Sequence, residues 1–116
     1  MAVRKWRVRL GAAAELDLAN ILKWTADQFG KQQARMYYDT LWEAIGELDT
    51  GPKVRGSKAR DEIMPGLRTV HIARHGRQGR HLLLYRIRET HIIEIVRILH
   101  DQMEVKSSSA ISIGRG

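Results

Sequence analysis

The residues whose types could carry chemistry lie in the second half of the chain: Arg74, Tyr85, Arg86, Arg97 and His100. Histidine and tyrosine can give or take a proton, and arginine can stabilise negative charge that develops on a phosphoryl group. Arg74 and His100 each end a predicted strand, so they could meet across one sheet edge, although strand alternation does not settle this. A structural role for the strand-end residues Arg97 and His100 is the simpler alternative.

The five histidines raise the possibility of a metal site. His71 and His75 are four residues apart, a spacing that brings two ligands together on a helix, but this region is typical of strand and turn. No carboxylate lies close by in sequence. The chain has no cysteine, which removes disulfides and thiolate ligands. We therefore predict no metal site and no cofactor.

The charge is unevenly distributed along the 116 residues, whose net charge is +7. Segment 12–50 has 3 basic and 7 acidic residues, whereas segment 51–100 has 11 basic and 4 acidic residues. The positive excess therefore lies on the predicted sheet and its loops. A basic sheet suits an acidic partner, either a nucleic acid or an enzyme that acts on nucleic acid. The alternative is that these basic residues form a solvated surface that has no specific partner.

We expect neither a membrane-spanning segment nor a secretory signal in this sequence. No apolar run is long enough to span a membrane, and the basic residues near the N-terminus are not followed by an apolar stretch. We expect a cytoplasmic protein that does not contact membranes.

The first half of the chain predicts one strand and two helices. Trp6–Leu10 alternates apolar and basic residues, as a half-buried strand does. Helical spacing then runs over Ala12–Phe29 and again from Lys31 to Asp49. Because only Gly30 separates the two helices, they should form an antiparallel hairpin. In the second helix the apolar stripe includes Tyr38, which we therefore expect in the core.

The second half predicts three strands after a basic, glycine-containing loop over residues 51–66. The strands cover about Leu67–Arg74, His81–Arg88 and His91–Leu99. The last two have consecutive apolar residues, so both of their faces should be covered. The fold class is α+β in the order β-α-α-β-β-β, with a helical hairpin on a four-stranded, mainly antiparallel sheet. We predict a single domain over residues 1–103 and a flexible tail over residues 104–116.

Three sequence features, combined with this element order, resemble the RelE/ParE superfamily of type II toxin–antitoxin toxins. They are Gly66-Leu67-Arg68, Leu83-Leu84-Tyr85-Arg86-Ile87, and a last strand that ends in Arg97-Ile98-Leu99-His100 before a polar stretch with Asp101 and Met103. The resemblance covers roughly residues 6–103 and is closest to the ParE branch. It implies the same helical hairpin on a sheet.

The ParE resemblance implies a toxin that inhibits DNA gyrase and has no catalytic residues of its own. Its target-binding residues would be Arg97, His100 and Met103. It would be held inactive in a hetero-oligomer by a cognate antitoxin, expected to be of the ribbon-helix-helix type, whose disordered segment folds along the toxin.

The antitoxin would contact aromatic residues of the helical hairpin. We predict Trp24, Tyr37, Trp42 and Arg68 as antitoxin-binding residues, because aromatic side chains and arginine are favoured interface anchors. The same three aromatic residues could instead pack against the margin of the sheet.

Two other functions remain open. One is a RelE-type endoribonuclease acting on ribosome-bound mRNA, for which the resemblance implies Arg74, Arg86 and His100 as catalytic residues. Against it, no tyrosine follows Tyr85, and acids rather than phosphate-binding bases follow His100. The other is a basic binding module without toxicity.

Overall fold

The computed structural model describes residues 5–102 and shows a helical hairpin packed on one face of a sheet. The fold class is therefore α+β, as the sequence predicts. The elements in chain order are β1 (Arg7–Leu10), α1 (Ala12–Phe29), α2 (Lys31–Gly46), a 3-10 helix (Glu47–Thr50), β2 (Lys58–Ala59), β3 (Arg68–His71), β4 (His81–Glu89) and β5 (Ile92–His100).

The sheet of the described region has five strands, in the order β1-β5-β4-β3-β2. β1 runs parallel to β5, and the other neighbours are antiparallel. The expected count of four strands was one too low. The additional strand, β2, has two residues, and it pairs Lys58 with Thr69 and Ala59 with Arg68 at the sheet edge. A pair this short in a basic loop leaves no periodic signal.

The hairpin turns at a single residue, Gly30, whose φ is +97°. Glycine adopts this backbone region without steric cost, which explains how α2 begins only one residue after α1 ends. The second helix is shorter than predicted, because it ends at Gly46 and continues as the 3-10 helix instead of reaching Asp49 as α-helix.

The main core lies between the hairpin and the sheet. As the apolar stripe predicts, Leu41, Ile45 and Leu48 share one buried cluster with three sheet residues, Leu83, Ile93 and Ile95. A second cluster on the opposite face contains Leu67, Leu84, Val96 and Leu99. The two central strands are therefore covered on both faces, which their consecutive apolar residues indicate.

The prediction that Tyr38 lies in the core was wrong. Its side chain is 43% exposed and packs edge-on against Trp42, whereas Tyr37 packs against the core. The buried face of α2 follows Tyr37, Leu41, Ala44 and Ile45 and continues to Leu48 in the 3-10 helix, which is also a regular helical stripe. The sequence pattern accommodates either tyrosine, and the position of the sheet selects Tyr37.

Asp17 of α1 holds the end of β5 where that strand extends beyond β1. Its Oδ2 accepts a hydrogen bond from the Ile98 backbone N–H at 2.9 Å and from Arg97 Nε at 2.7 Å, and Oδ1 accepts from Arg97 Nη2 at 2.9 Å. The Asp17 carboxylate thus replaces the missing strand neighbour at this edge. This contact sets the position of the strand end that leads to His100.

In the described part of the chain, no helix is both long enough and apolar enough to cross a membrane. Met103 and the expected tail, residues 104–116, lie outside the described residues.

Candidate functional site

A cleft of about 750 Å³ opens where the helical hairpin meets the end of the sheet. One side is formed by the second half of α1, another by the first turns of α2, and the third by the start of β4 and the end of β5. The lining residues are Asn20, Ile21, Trp24, Thr25, Phe29, Gln33, Tyr37, Gly79, Arg80, His81 and His100.

The helical side of the cleft is apolar and open to solvent. Trp24 is 58% exposed and Phe29 is 65% exposed, and their rings meet edge-on with centroids 5.8 Å apart. The helical pattern groups Phe29 with core positions of α1, but the structure leaves this side chain at the cleft mouth. Exposed large apolar residues beside a concave surface are typical of a site that a partner covers.

The sheet side of the cleft is polar and is organised by Tyr37. The Tyr37 hydroxyl lies 2.6 Å from His81 Nδ1 and accepts a hydrogen bond from the Arg80 backbone N–H at 3.2 Å. Burial, with a smaller effect from nearby His100, lowers the pKa of His81 to about 4. Burial raises the pKa of Tyr37. At neutral pH the hydroxyl therefore keeps its proton and the His81 ring is neutral, so this contact is a hydrogen bond between two neutral groups.

Gly79 allows this arrangement because a larger residue would not fit. A Cβ at this position would lie 2.4 Å from Ile72 Cδ1 and 3.0 Å from the Tyr37 hydroxyl. Contacts this short force a neighbour to move, so the glycine lets the loop approach α2 closely.

Asp101 links His71 and Arg80 just beyond β5. Its carboxylate accepts hydrogen bonds from His71 Nε2 at 3.0 Å and from Arg80 Nε at 3.3 Å. The hydrogen bond from His71, helped by the Arg80 charge, lowers the pKa of Asp101. The His100 ring packs edge-on against His81, with centroids 5.3 Å apart. Within residues 5–102, no group of three histidine, cysteine or acidic side chains is placed to hold a metal ion.

Comparison with known proteins identifies the family. The family model described as the ParE toxin of the type II toxin–antitoxin system parDE matches residues 8–105. A curated relative, Toxin ParE1 of Mycobacterium tuberculosis, is 35% identical over 99 residues, which are 85% of this chain and 93% of the relative. The chain belongs to the ParE toxin family.

Solved structures share the fold of this ParE family member. The chromosomal ParDE system from P. aeruginosa matches with a TM-score of 0.66 and 19% identity, over 84% of this chain and 98% of that chain. The toxin–antitoxin complex RelBE2 from Mycobacterium tuberculosis matches with a TM-score of 0.57 and 24% identity, over 85% of this chain and 94% of that chain. At these identities, the likeness concerns the fold.

The residues that a ribonuclease would use lie in three separate places in this ParE family member. Arg74 lies 3.4 Å from Glu47, whose carboxylate also binds Arg77 through two hydrogen bonds of 2.8 Å. Arg86 pairs with Glu94 at 3.1 Å on a different part of the sheet. Only His100 lines the cleft. The structure does not bring Arg74, Arg86 and His100 together.

Two other residues with chemical potential are used inside the fold. Tyr85 is fully buried, and its hydroxyl donates to the Pro52 carbonyl at 2.6 Å. The Arg97 side chain is 18% exposed and binds both oxygens of Asp17. These contacts favour a structural role for Arg97, which is the simpler of its two interpretations.

Of the expected antitoxin-binding residues, the structure places Trp24 and Tyr37 in the same cleft. Trp42 lies further along α2, 39% exposed and against Tyr38. Arg68 lies on β3 and donates hydrogen bonds to the Pro52 carbonyl and the Ser57 hydroxyl.

Sequence reasoning missed Asp17, Arg80 and His81. Asp17 lies 81 residues from its backbone partner Ile98, and the Tyr37–His81 contact spans 44 residues. No local spacing signals contacts at that separation. The only available signal for His81 was its position at the start of a strand, next to a glycine-containing turn.

Proposed function

We propose that this ParE family member arrests growth by inhibiting DNA gyrase in the cytoplasm, and that a cognate antitoxin neutralises it by docking in the cleft. The observation that carries the proposal is the open cleft, whose aromatic side faces solvent. When a partner covers such a surface, apolar area is removed from water, which stabilises the complex. A toxin that acts by binding needs contact surfaces rather than a catalytic centre.

The separation of Arg74, Arg86 and His100 supports inhibition by binding over RNA cleavage. Cleavage at a ribose 2′-OH needs a base, an acid and positive charge within reach of one phosphodiester. Arg74 and Arg86 instead neutralise Glu47 and Glu94. Gyrase inhibition makes no such demand, and His100, 44% exposed at the end of β5, is available for contact with a target.

The antitoxin we propose is an acidic protein of the ribbon-helix-helix type with a disordered segment. The net charge of +7 favours an acidic partner. The structural neighbours named as the ParDE system and the RelBE2 complex are toxin–antitoxin assemblies, which supports a hetero-oligomer for this chain too. Folding on binding would let a short segment cover Trp24 and Phe29 together.

A RelE-type ribonuclease is the second candidate, and one observation favours it. Tyr37, His81 and His100 place proton donors and acceptors beside the Arg80 cation in one cleft. These residue types could act on a phosphodiester, although they are a different set from the one that the resemblance implies.

We expect Trp24→Ser to weaken the antitoxin complex by about 30-fold or more, because truncating an aromatic anchor costs about 2 kcal/mol or more. The measurement is isothermal titration of the purified protein with the product of the neighbouring reading frame. Trp42→Ser is the comparison, since it removes the same side chain outside the cleft, and its effect should be smaller. An unchanged affinity for Trp24→Ser would show that the antitoxin docks elsewhere.

A further inference from the structure

The sheet face turned away from the helices is covered over only part of its area. Ile63, Met64 and Leu82 pack against the buried cluster of Leu67, Leu84, Val96 and Leu99 on this face. β1 and the second half of β4 lie outside that cluster. The uncovered part therefore consists of β1 and the second half of β4, which lie on opposite sides of β5.

Arginines occupy this uncovered part. In β1, Val8 and Leu10 pack against the core under the helices, so alternation places Arg7 and Arg9 on the opposite face, where both are exposed. Pairing aligns Arg9 with Glu94 of β5, and Glu94 with Arg86 of β4. We call Arg7, Arg9 and Arg86 the arginine face.

Most of the charge of the arginine face is not neutralised within the fold. Glu94 Oε1 binds Arg86 through Nε at 3.1 Å, and both side chains are about four-fifths buried. Glu89 pairs with Ile92, the neighbour of Arg7, but no described residue forms an ion pair with Arg7 or Arg9. Two cations therefore stand on one exposed surface beside a locked ion pair.

The spacing of these cations is regular. Arg7 and Arg9 are two residues apart on one strand, a separation of about 7 Å, and β4 lies two strand spacings from β1, about 10 Å. The first distance is comparable to that between neighbouring phosphates of a nucleic-acid strand. Guanidinium groups bind phosphate oxygens in a bidentate manner, and they are desolvated more easily than ammonium groups.

We propose that the arginine face binds the phosphodiester backbone of duplex DNA through Arg7 and Arg9. An acidic protein segment would also be attracted to this positive surface. Protein interfaces, however, combine arginine with aromatic or apolar anchors, whereas both exposed positions of β1 are arginine. Phosphate contacts fix position without reading sequence, which suits a flat surface of regularly spaced cations.

The connection with gyrase rests on the proposed function. A ligand stabilises one state of its target only if it binds that state more tightly than the others. Gyrase holds duplex DNA when it cleaves it, so a toxin that contacts enzyme and DNA together would favour the DNA-bound state. The arginine face lies on the sheet side opposite the hairpin, which forms two sides of the antitoxin cleft.

The test measures binding of a short labelled DNA duplex to the full-length protein by fluorescence anisotropy, from about 50 mM to about 200 mM salt. Two phosphate contacts contribute about −1.8 to the slope of log affinity against log salt, and Arg7→Gln with Arg9→Gln should make the slope shallower by about that amount. The matched control is Lys31→Gln with Arg35→Gln, two exposed cations of α2. This control should leave the slope unchanged. Circular dichroism checks that both double variants fold.

Equal changes in the two double variants would overturn the proposal, because they would show diffuse attraction to a basic protein. Tighter binding of single-stranded RNA than of the duplex would also overturn it. So would loss of polyglutamate binding without loss of duplex binding in the Arg7/Arg9 variant, since that marks a site for an acidic protein. If the duplex is not bound but gyrase is still inhibited, the inference fails and the proposed function stands. If the duplex is bound but gyrase is unaffected, the proposed function fails and the inference stands.

Discussion

Asp17→Ala is expected to lower the free energy of unfolding by about 2–4 kcal/mol. The substitution removes three hydrogen bonds at once, two from Arg97 and one from the Ile98 backbone N–H. It takes the carboxylate acceptor away from a largely buried guanidinium and from a strand N–H, and losing an acceptor at a buried site is costly. Chemical denaturation monitored by circular dichroism measures the loss.

Asp27→Ala is the matched control, since it makes the same change on the same helix. Asp27 pairs with Lys23 at 3.2 Å, but both side chains are mostly exposed, so the loss should stay below about 1 kcal/mol. Asp17→Asn should fall between the two alanine variants, because its amide oxygen can still accept from Ile98. If Asp17→Ala costs no more than Asp27→Ala, Asp17 does not hold the end of β5.

Leu41→Ala is expected to lower the free energy of unfolding by about 2–5 kcal/mol, because it opens a cavity in a closely packed core. Leu41 is fully buried in the cluster that joins the hairpin to the sheet. For a domain of this size the melting temperature should fall by about 10 °C or more. Thermal unfolding followed by circular dichroism gives the value.

Leu16→Ala provides the comparison for the core. Leu16 is 62% exposed on α1, so its loss should change the stability by no more than about 0.5 kcal/mol. Similar melting temperatures for the two alanine variants would mean that the stripe of α2 does not face the sheet.

The regular elements could be predicted from the sequence because each has a local signal. The bounds of α1, Ala12–Phe29, match the predicted helix, since a glycine lies on each side of the apolar periodicity. β4 and β5 differ from their predicted ranges by about one residue at either end. By contrast, β2 exists only through its two pairs with β3. The choice between Tyr37 and Tyr38 likewise depends on where the sheet lies.

The candidate site was only partly predictable. Aromatic residues on a helical hairpin pointed to Trp24 and Tyr37, and the structure places both in the cleft. Arg80 and His81 reach it through a turn whose path no residue pattern specifies. Arg97 was predicted to bind the target, but its side chain binds Asp17 within the fold. The sequence does not distinguish these two roles, because a charged residue at a strand end looks the same in both cases.

The most direct test of the central claim is a gyrase assay with the purified protein, freed of antitoxin. We expect supercoiling to be inhibited or cleaved DNA to be trapped, and we expect mRNA on translating ribosomes to remain intact. Addition of the antitoxin should restore supercoiling. Unaffected gyrase together with ribosome-dependent mRNA cleavage, abolished by His100→Ala, would contradict gyrase inhibition and establish the ribonuclease alternative.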